Sequence, residues 1–174
     1  MTEKKIKDTT LRLVRGDIAA MEVDAFVFYA RPDLQLGSGF GTAITQRGGP
    51  AVKKELEKLG PVATGSAVVT AAGEMKCKRI IHAVGPRFQE EDEERKLREV
   101  MRASLKKAEE GGVKTLAFPP MGTGFYGITL DLCRKVMLDE LRRHLEGPTA
   151  LREVSIVVKD SREQTPFEEA FKSL

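Results

Sequence analysis

Apolar positions along the chain fall into two kinds of pattern. Residues 10–14 alternate and read as an opening strand. Residues 25–29, Ala-Phe-Val-Phe-Tyr, are a continuous apolar run, as expected of a strand covered on both faces. Segments 66–70 and 79–84 read as two more strands with a turn around Gly73, and 114–118 and 153–158 as a fifth and sixth. Between them the period changes to that of a helix. One helical pattern runs from Thr42 to Leu59, with a break at 48–50. Another, 90–110, lines up Leu97, Val100, Met101, Leu105 and Ala108 on one face and stops at Gly111-Gly112. An amphipathic helix is expected over 130–145 and a short closing helix over 167–174. Strands alternating with helices predict an α/β fold, a three-layer αβα sandwich around a mixed central sheet of about six strands. No repeat or linker interrupts it, so residues 1–174 are expected to form one domain.

Composition narrows the class of protein. Hydrophobic residues make up 41% and charged residues 32%, the balance of a globular domain. No stretch approaches the roughly 20 apolar residues of a membrane span. The opening Met1-Thr2-Glu3-Lys4-Lys5 has no apolar core of a signal peptide, so a cytoplasmic location without membrane contact is expected. Cys77 and Cys133 are far apart, and neither they nor His82 and His144 have metal-ligand spacing. The expectation is reduced thiols, no metal and no cofactor. His82 lies in an apolar strand and reads as structural. The net charge of +3, from 29 basic and 26 acidic residues, is small for a dedicated nucleic-acid binder and compatible with weak RNA or nucleic-acid binding. Asparagine is absent while Lys, Arg and Glu are abundant, a composition found in heat-adapted proteins.

Two loops carry the candidate chemistry. The first, Gly37-Ser38-Gly39-Phe40-Gly41, follows the 25–29 strand. The second, Gly122-Thr123-Gly124-Phe125-Tyr126-Gly127, follows the 114–118 strand. Each joins a strand to a helix and exposes backbone N–H groups without side-chain obstruction, and a helix start adds positive partial charge. Both features suit a phosphate or diphosphate at the carboxyl ends of the strands. Neither loop is a P-loop, because no Gly-Lys-Ser/Thr follows, and the spacing of the first differs from the dinucleotide fingerprint. Two tight turns with no ligand would look the same at either loop alone; their pairing favours a phosphate-bearing ligand.

The order and spacing of these pieces resemble the macro domain, an ADP-ribose-binding module. The matching segments are Gly16-Asp17-Ile18, Val23-Asp24-Ala25-Phe26-Val27, the first loop with Ala43-Ile44, Gly48-Gly49-Pro50, Gly65-Ser66-Ala67, Ile81-His82-Ala83-Val84-Gly85-Pro86, and Phe118-Pro119 through the second loop. The resemblance implies that Asp17 accepts from the adenine amino group with the Ile18 backbone beside it. It implies that Gly37, Ser38, Gly39 and Phe40 wrap the distal ribose and diphosphate. Gly122, Thr123, Gly124, Phe125 and Tyr126 would line the diphosphate, Tyr126 covering the ribose. Phe125 reads equally as a core residue.

The chain departs from the hydrolytic branch of that family. The stretch Asn-Ala-Ala-Asn there is Phe28-Tyr29-Ala30-Arg31 here, the water-activating Asp is Gly41, and the following His is Thr45. The bulk of Phe28 and Tyr29 would narrow the distal-ribose end. The adenine-stacking aromatic of the last strand falls at Lys159, with Phe167 of the closing helix as a substitute. Arginine stays protonated and glycine has no side chain, so neither replacement is a base. The expected function is therefore binding of ADP-ribose, free or attached to protein, or of a related diphosphate nucleotide, without efficient catalysis. The alternatives are a hydrolase of O-acetyl-ADP-ribose or ADP-ribosyl esters, using phosphate-held water with Tyr126 and the second loop, and a binder of another phosphate ligand, such as a nucleotide or RNA end, through Arg31.

Overall fold

The computed structural model describes residues 2–37 and 39–174. It has seven strands: β1 (Thr2–Ile6), β2 (Thr9–Arg15), β3 (Ala25–Tyr29), β4 (Ala67–Ala71), β5 (Arg79–Ala83), β6 (Thr115–Phe118) and β7 (Glu153–Val158). The five helices are α1 (Phe40–Gly48), α2 (Pro50–Leu59), α3 (Glu93–Glu110), α4 (Leu130–Glu146) and α5 (Ser161–Phe171). The strands form one sheet in the order β1-β2-β7-β6-β3-β5-β4. β1 and β4, at the two edges, pair antiparallel with β2 and β5. The pairings from β2 through β7, β6 and β3 to β5 are all parallel.

The expected mixed sheet with helices on both faces is present, with three differences of detail. A seventh strand, β1, precedes the expected opening strand. Only its two ends are half-buried, so it has no apolar face to show in the sequence. The closing helix is α5, which starts at Ser161 rather than 167. Asp160 caps it by accepting from the N–H groups of Arg162 and Glu163, and its first turns are polar. α3 begins at Glu93, after the expected start at 90.

β3 divides the core, because successive side chains leave a strand on opposite faces. Val27 and Tyr29 join a cluster with α3, α4 and α5. Phe26 and Phe28 join a second cluster with α1 and α2. Gly49 and Pro50 break the long helical pattern into α1 and α2, Pro50 sitting in the first turn, where its missing N–H costs nothing. No helix among the described residues is long and apolar enough to cross a membrane.

The four adjacent strands β2, β7, β6 and β3 run parallel, so their carboxyl ends share one edge of the sheet. The segments leaving those ends meet there, the position at which open α/β sheets bind ligands.

Candidate functional site

A cleft of about 500 Å³ opens at that edge. Each of the four strands contributes to it: Gly16 and Asp17 after β2, Arg31, Leu36, Gly37, Gly39 and Phe40 after β3, Pro119, Pro120 and Gly122 with the rest of loop two to Tyr126 after β6, and Lys159 after β7. Of the residues expected at a ligand, the cleft is lined by Asp17, Ile18, Arg31, Gly37, Gly39, Phe40, Gly122, Thr123, Gly124, Phe125 and Tyr126. Ser38 lies outside the described residues.

At one end, Asp17 caps the short 3-10 turn Ile18–Ala20, its Oδ1 accepting from the Ala19 N–H at 3.0 Å. Its Oδ2 accepts from Arg47 of α1 at 2.8 Å, in an exposed ion pair. The cap and the ion pair hold the carboxylate in place. The Ile18 N–H opens the 3-10 turn and has no partner within it.

Loop one leaves β3 through a tight turn in which the Leu34 N–H donates to the Arg31 carbonyl at 2.9 Å. Arg31 Nη2 donates to Asp33 Oδ2 at 2.8 Å, and Asp33 Oδ1 accepts from the Gln35 N–H at 3.0 Å. Phe40 stacks on Phe28 and meets Phe26 edge-on, each with ring centroids 5.5 Å apart, which anchors the start of α1.

Loop two closes on itself. The Ile128 N–H donates to the Gly122 carbonyl and the Gly127 N–H to the Gly124 carbonyl, both at 3.0 Å. The N–H groups of Gly124 and Phe125 open the 3-10 turn Gly124–Tyr126 and have no partner within it. Gly124 has φ +76°, and a Cβ there would meet nothing within 4 Å, so its backbone faces open space. Tyr126 is half-buried against Tyr29, ring centroids 4.8 Å apart. The Tyr29 hydroxyl donates to the Pro86 carbonyl, and burial drives its pKa far above the usual phenol range. Burial also raises the Tyr126 phenol, while Arg31 and Arg87 pull it the other way. Phe125 is 88% exposed, so it belongs to the rim and not to the core.

The positions that differ from the hydrolytic pattern are equally plain. Arg31 lines the cleft. A Cβ at Gly41 would overlap the Leu36 carbonyl, so an acid cannot stand there with this backbone. The Thr45 hydroxyl donates to the Gly41 carbonyl at 3.1 Å. The expected substitute stacker, Phe167, is corrected: it is fully buried in the core under α5, because the helix begins six residues earlier and turns that side chain inward. Lys159 itself lines the cleft, and Glu163 beside it was missed. Glu163 accepts from the Lys159 N–H at 2.7 Å. The spacing Asp160-x-x-Glu163 resembles a capping box and could have located both the helix start and this carboxylate. His82 is buried and bonds Thr70 at 2.9 Å, a structural role. Both cysteines are buried free thiols. Among the described residues no group of three or more His, Cys, Asp or Glu is placed to hold a metal ion.

The family model described as Macro domain matches residues 30–137. The chain belongs to the macro domain family. A macro domain-containing protein of Caldanaerobacter subterraneus subsp. tengcongensis is 38% identical, over 94% of this chain and 97% of that one. An O-acetyl-ADP-ribose deacetylase of an Enterobacter species is 39% identical, over 78% of each chain. The crystal structure of a Trypanosoma brucei macrodomain in complex with ADP-ribose superposes with a TM-score of 0.86 at 26% identity, over 92% of this chain and 68% of that one. Within this macro domain the charged residues lining the cleft are Asp17 after β2, Lys159 and Glu163 after β7, and Arg31 after β3.

Proposed function

We propose that residues 1–174 form one macro domain that binds ADP-ribose, free or attached to protein, or a related adenine diphosphate nucleotide, without efficient turnover. The observation that carries this reading is the convergence of both glycine loops on one cleft, with open space beside Gly124 and with the Gly124 and Phe125 N–H groups unpartnered within the turn they open. Such donors hold a diphosphate without a cation, and the neighbouring carboxylate of Asp17 suits an adenine amino group. The ADP-ribose bound to the Trypanosoma relative supports the same ligand class.

The name of the Enterobacter relative favours a second reading, hydrolysis of O-acetyl-ADP-ribose. The residues here argue against a general-base route. The carboxylates lining the cleft among the described residues are Asp17 and Glu163, and both already accept backbone hydrogen bonds near the adenine end. Arg31, after β3, cannot take a proton. A binder of another phosphate ligand, including an RNA end, is the third reading.

Calorimetry with ADP-ribose, ADP, AMP and ribose 5-phosphate separates the contributions of adenine, diphosphate and distal ribose. Affinity rising from AMP to ADP supports the diphosphate assignment. Equal affinity for AMP and ADP overturns it. Incubation of the wild type with O-acetyl-ADP-ribose, followed by chromatography, decides the catalytic question: robust acetate release promotes the hydrolase.

A further inference from the structure

The side of the cleft that follows β3 is lined by one charged residue, Arg31. Arg31 stands there on the tight turn closed by Leu34, a buried residue with φ +60° that holds the turn's shape. Its guanidinium is oriented by a carboxylate that is itself pinned, since Asp33 receives Arg31 through one oxygen and the Gln35 N–H through the other. Only Nη2 is used in that pair. Nη1 makes no hydrogen bond among the described residues and lies 3.8 Å from where a Gly37 Cβ would stand.

A second cation, Arg87, stands outside the cleft lining on a segment held against loop two. Arg87 follows Pro86, whose carbonyl receives the Tyr29 hydroxyl, and the next residue, Phe88, donates its N–H to the Tyr126 carbonyl at 2.8 Å. This segment is therefore tied to loop two. Arg87 is exposed and has no carboxylate within 4.0 Å among the described residues. Arg31 and Arg87 both pull the Tyr126 phenol down against burial, while Asp33 pushes it up. Of the acidic residues next along the chain, Glu90 pairs with Lys96 at 3.3 Å, Asp92 with Arg95 at 3.0 Å, and Glu93 accepts from the Gln89 N–H at 2.6 Å.

We propose that Arg31, supported by Arg87, makes this side of the cleft a reader of a further anionic group, so that the preferred ligand is an adenine nucleotide whose diphosphate continues into a terminal phosphate. A planar guanidinium with one edge free matches a phosphate oxygen pair, which a ribose hydroxyl exploits less well. The inference rests on the diphosphate-nucleotide reading above and makes it specific: Arg31 is a specificity-determining residue, and a ligand ending in an uncharged sugar is the poorer fit.

The test is calorimetry of ADP, ATP and ADP-ribose with the wild type, at fixed ionic strength and with chelator present so that ATP is metal-free. ATP should bind about tenfold more tightly than ADP, the scale of one charge-assisted hydrogen bond. In Arg31→Ala and Arg31→Asn the ATP-to-ADP preference should fall to about one. Arg31→Asn should also raise the affinity for ADP-ribose relative to ATP. Arg87→Ala should reduce the preference by a smaller factor. Thermal melts of the variants confirm that the fold is retained, since Arg31 and Arg87 are not core residues. If ADP binds but ATP binds no better, or the preference survives Arg31→Ala, this inference is overturned and the diphosphate reading stands. If neither ADP nor ATP binds the wild type, both are overturned.

Discussion

Gly41 and Asp17 are the single residues on which the proposed reading of this macro domain turns most directly. The position to which the sequence resemblance assigns a water-activating acid is glycine here, and its Cβ would overlap the Leu36 carbonyl. Gly41→Asp is therefore expected to create no hydrolytic activity. It should instead displace loop one, lowering both the melting temperature and the affinity for ADP-ribose; release of acetate from O-acetyl-ADP-ribose by this variant would show that the backbone yields. Asp17 has two roles to separate. It caps the Ile18–Ala20 turn, which an alanine would weaken by about 0.5–2 kcal/mol of stability. As an acceptor for adenine it should contribute about 1–3 kcal/mol of binding. Asp17→Ala should weaken ADP-ribose binding about tenfold or more and leave ribose 5-phosphate binding unchanged; an equal loss for both ligands would assign Asp17 to the fold alone. Gly124→Val should block ligand binding, because φ +76° strains a β-branched residue and its side chain would fill the open space over the loop. Equal ADP-ribose affinity in wild type and variant refutes the loop assignment. At this scale the sequence was legible where glycines mark the loops that line the cleft. It was silent on Glu163, whose place depends on where a polar helix starts, and on the engagement of Asp17 by Arg47 across thirty residues of chain.

Elements whose apolar residues recur were readable, and those without a buried face were not. β3 is expected from five apolar residues in a row and is observed over the same five. β1 exposes most of its side chains and is held by backbone pairing with β2, so no periodicity announces it. α5 hides its start behind a polar turn and contains Pro166, so only Phe167 and Phe171 pointed to a helix. The packing of α3 on α4 has a signature that hydrophobic periodicity misses. Glu140 of α4 has a side chain only 1% exposed, and it receives Arg102 Nε at 2.6 Å and Arg98 Nη1 at 3.1 Å from α3. Burial alone would raise its pKa; the two arginines outweigh it and hold the carboxyl below its ordinary value. Glu140→Ala strips Arg102 of its carboxylate and leaves a hole in the helix pair. Arg98 keeps Glu94 and Asp139, so the loss should be about 2–3 kcal/mol, below the full cost of orphaning a buried charge. That corresponds to a melting temperature about 5–10 °C lower in calorimetry. A change within about 1 °C would mean that the network contributes nothing net. The cleft lies at the edge of the sheet, away from this contact, so ADP-ribose affinity should be unaffected.

The molecule as a whole should lose stability toward acid in two stages, with different groups responsible for each. His82 sits on β5, beside the edge strand β4, bonded to Thr70 and edge-on to Phe28, and burial lowers its pKa from 6.5 to about 4. The unfolded chain therefore takes up this proton first as pH falls. The stability that the neutral imidazole confers is complete above pH 6.5, declines between 6.5 and about 4, and is gone once both states are protonated. For a pKa difference of this size the loss is about 3 kcal/mol. The second stage belongs to Asp24, Glu109 and Glu140. Their hydrogen bonds to Lys114, Thr115 and Lys78, to Thr149, Ala150 and His144, and to Arg102 and Arg98 hold each carboxyl below its ordinary value against the opposing effect of burial. Their contribution is present above the unfolded values of 3.8 and 4.5 and disappears as pH drops below them. Melting curves recorded from pH 7.5 to 3.5 should accordingly begin to fall near pH 6.5 and steepen below about 4.5. Replacing both partners of the buried pair, His82→Leu with Thr70→Val, removes the polar groups together and should be nearly neutral at pH 7. In that variant the melting temperature should stay level from pH 7 to 5 while the decline below 4.5 remains. Because His82 packs on Phe28, which lines the cleft, the wild type should also gain acid resistance when ADP-ribose is bound, to the extent that the ligand stabilises the folded state alone. A wild-type melting temperature that is flat between pH 6.5 and 4.5 would show that the imidazole accepts a proton within the fold, and would require the β4–β5 contact around Thr70 to open at mild acidity.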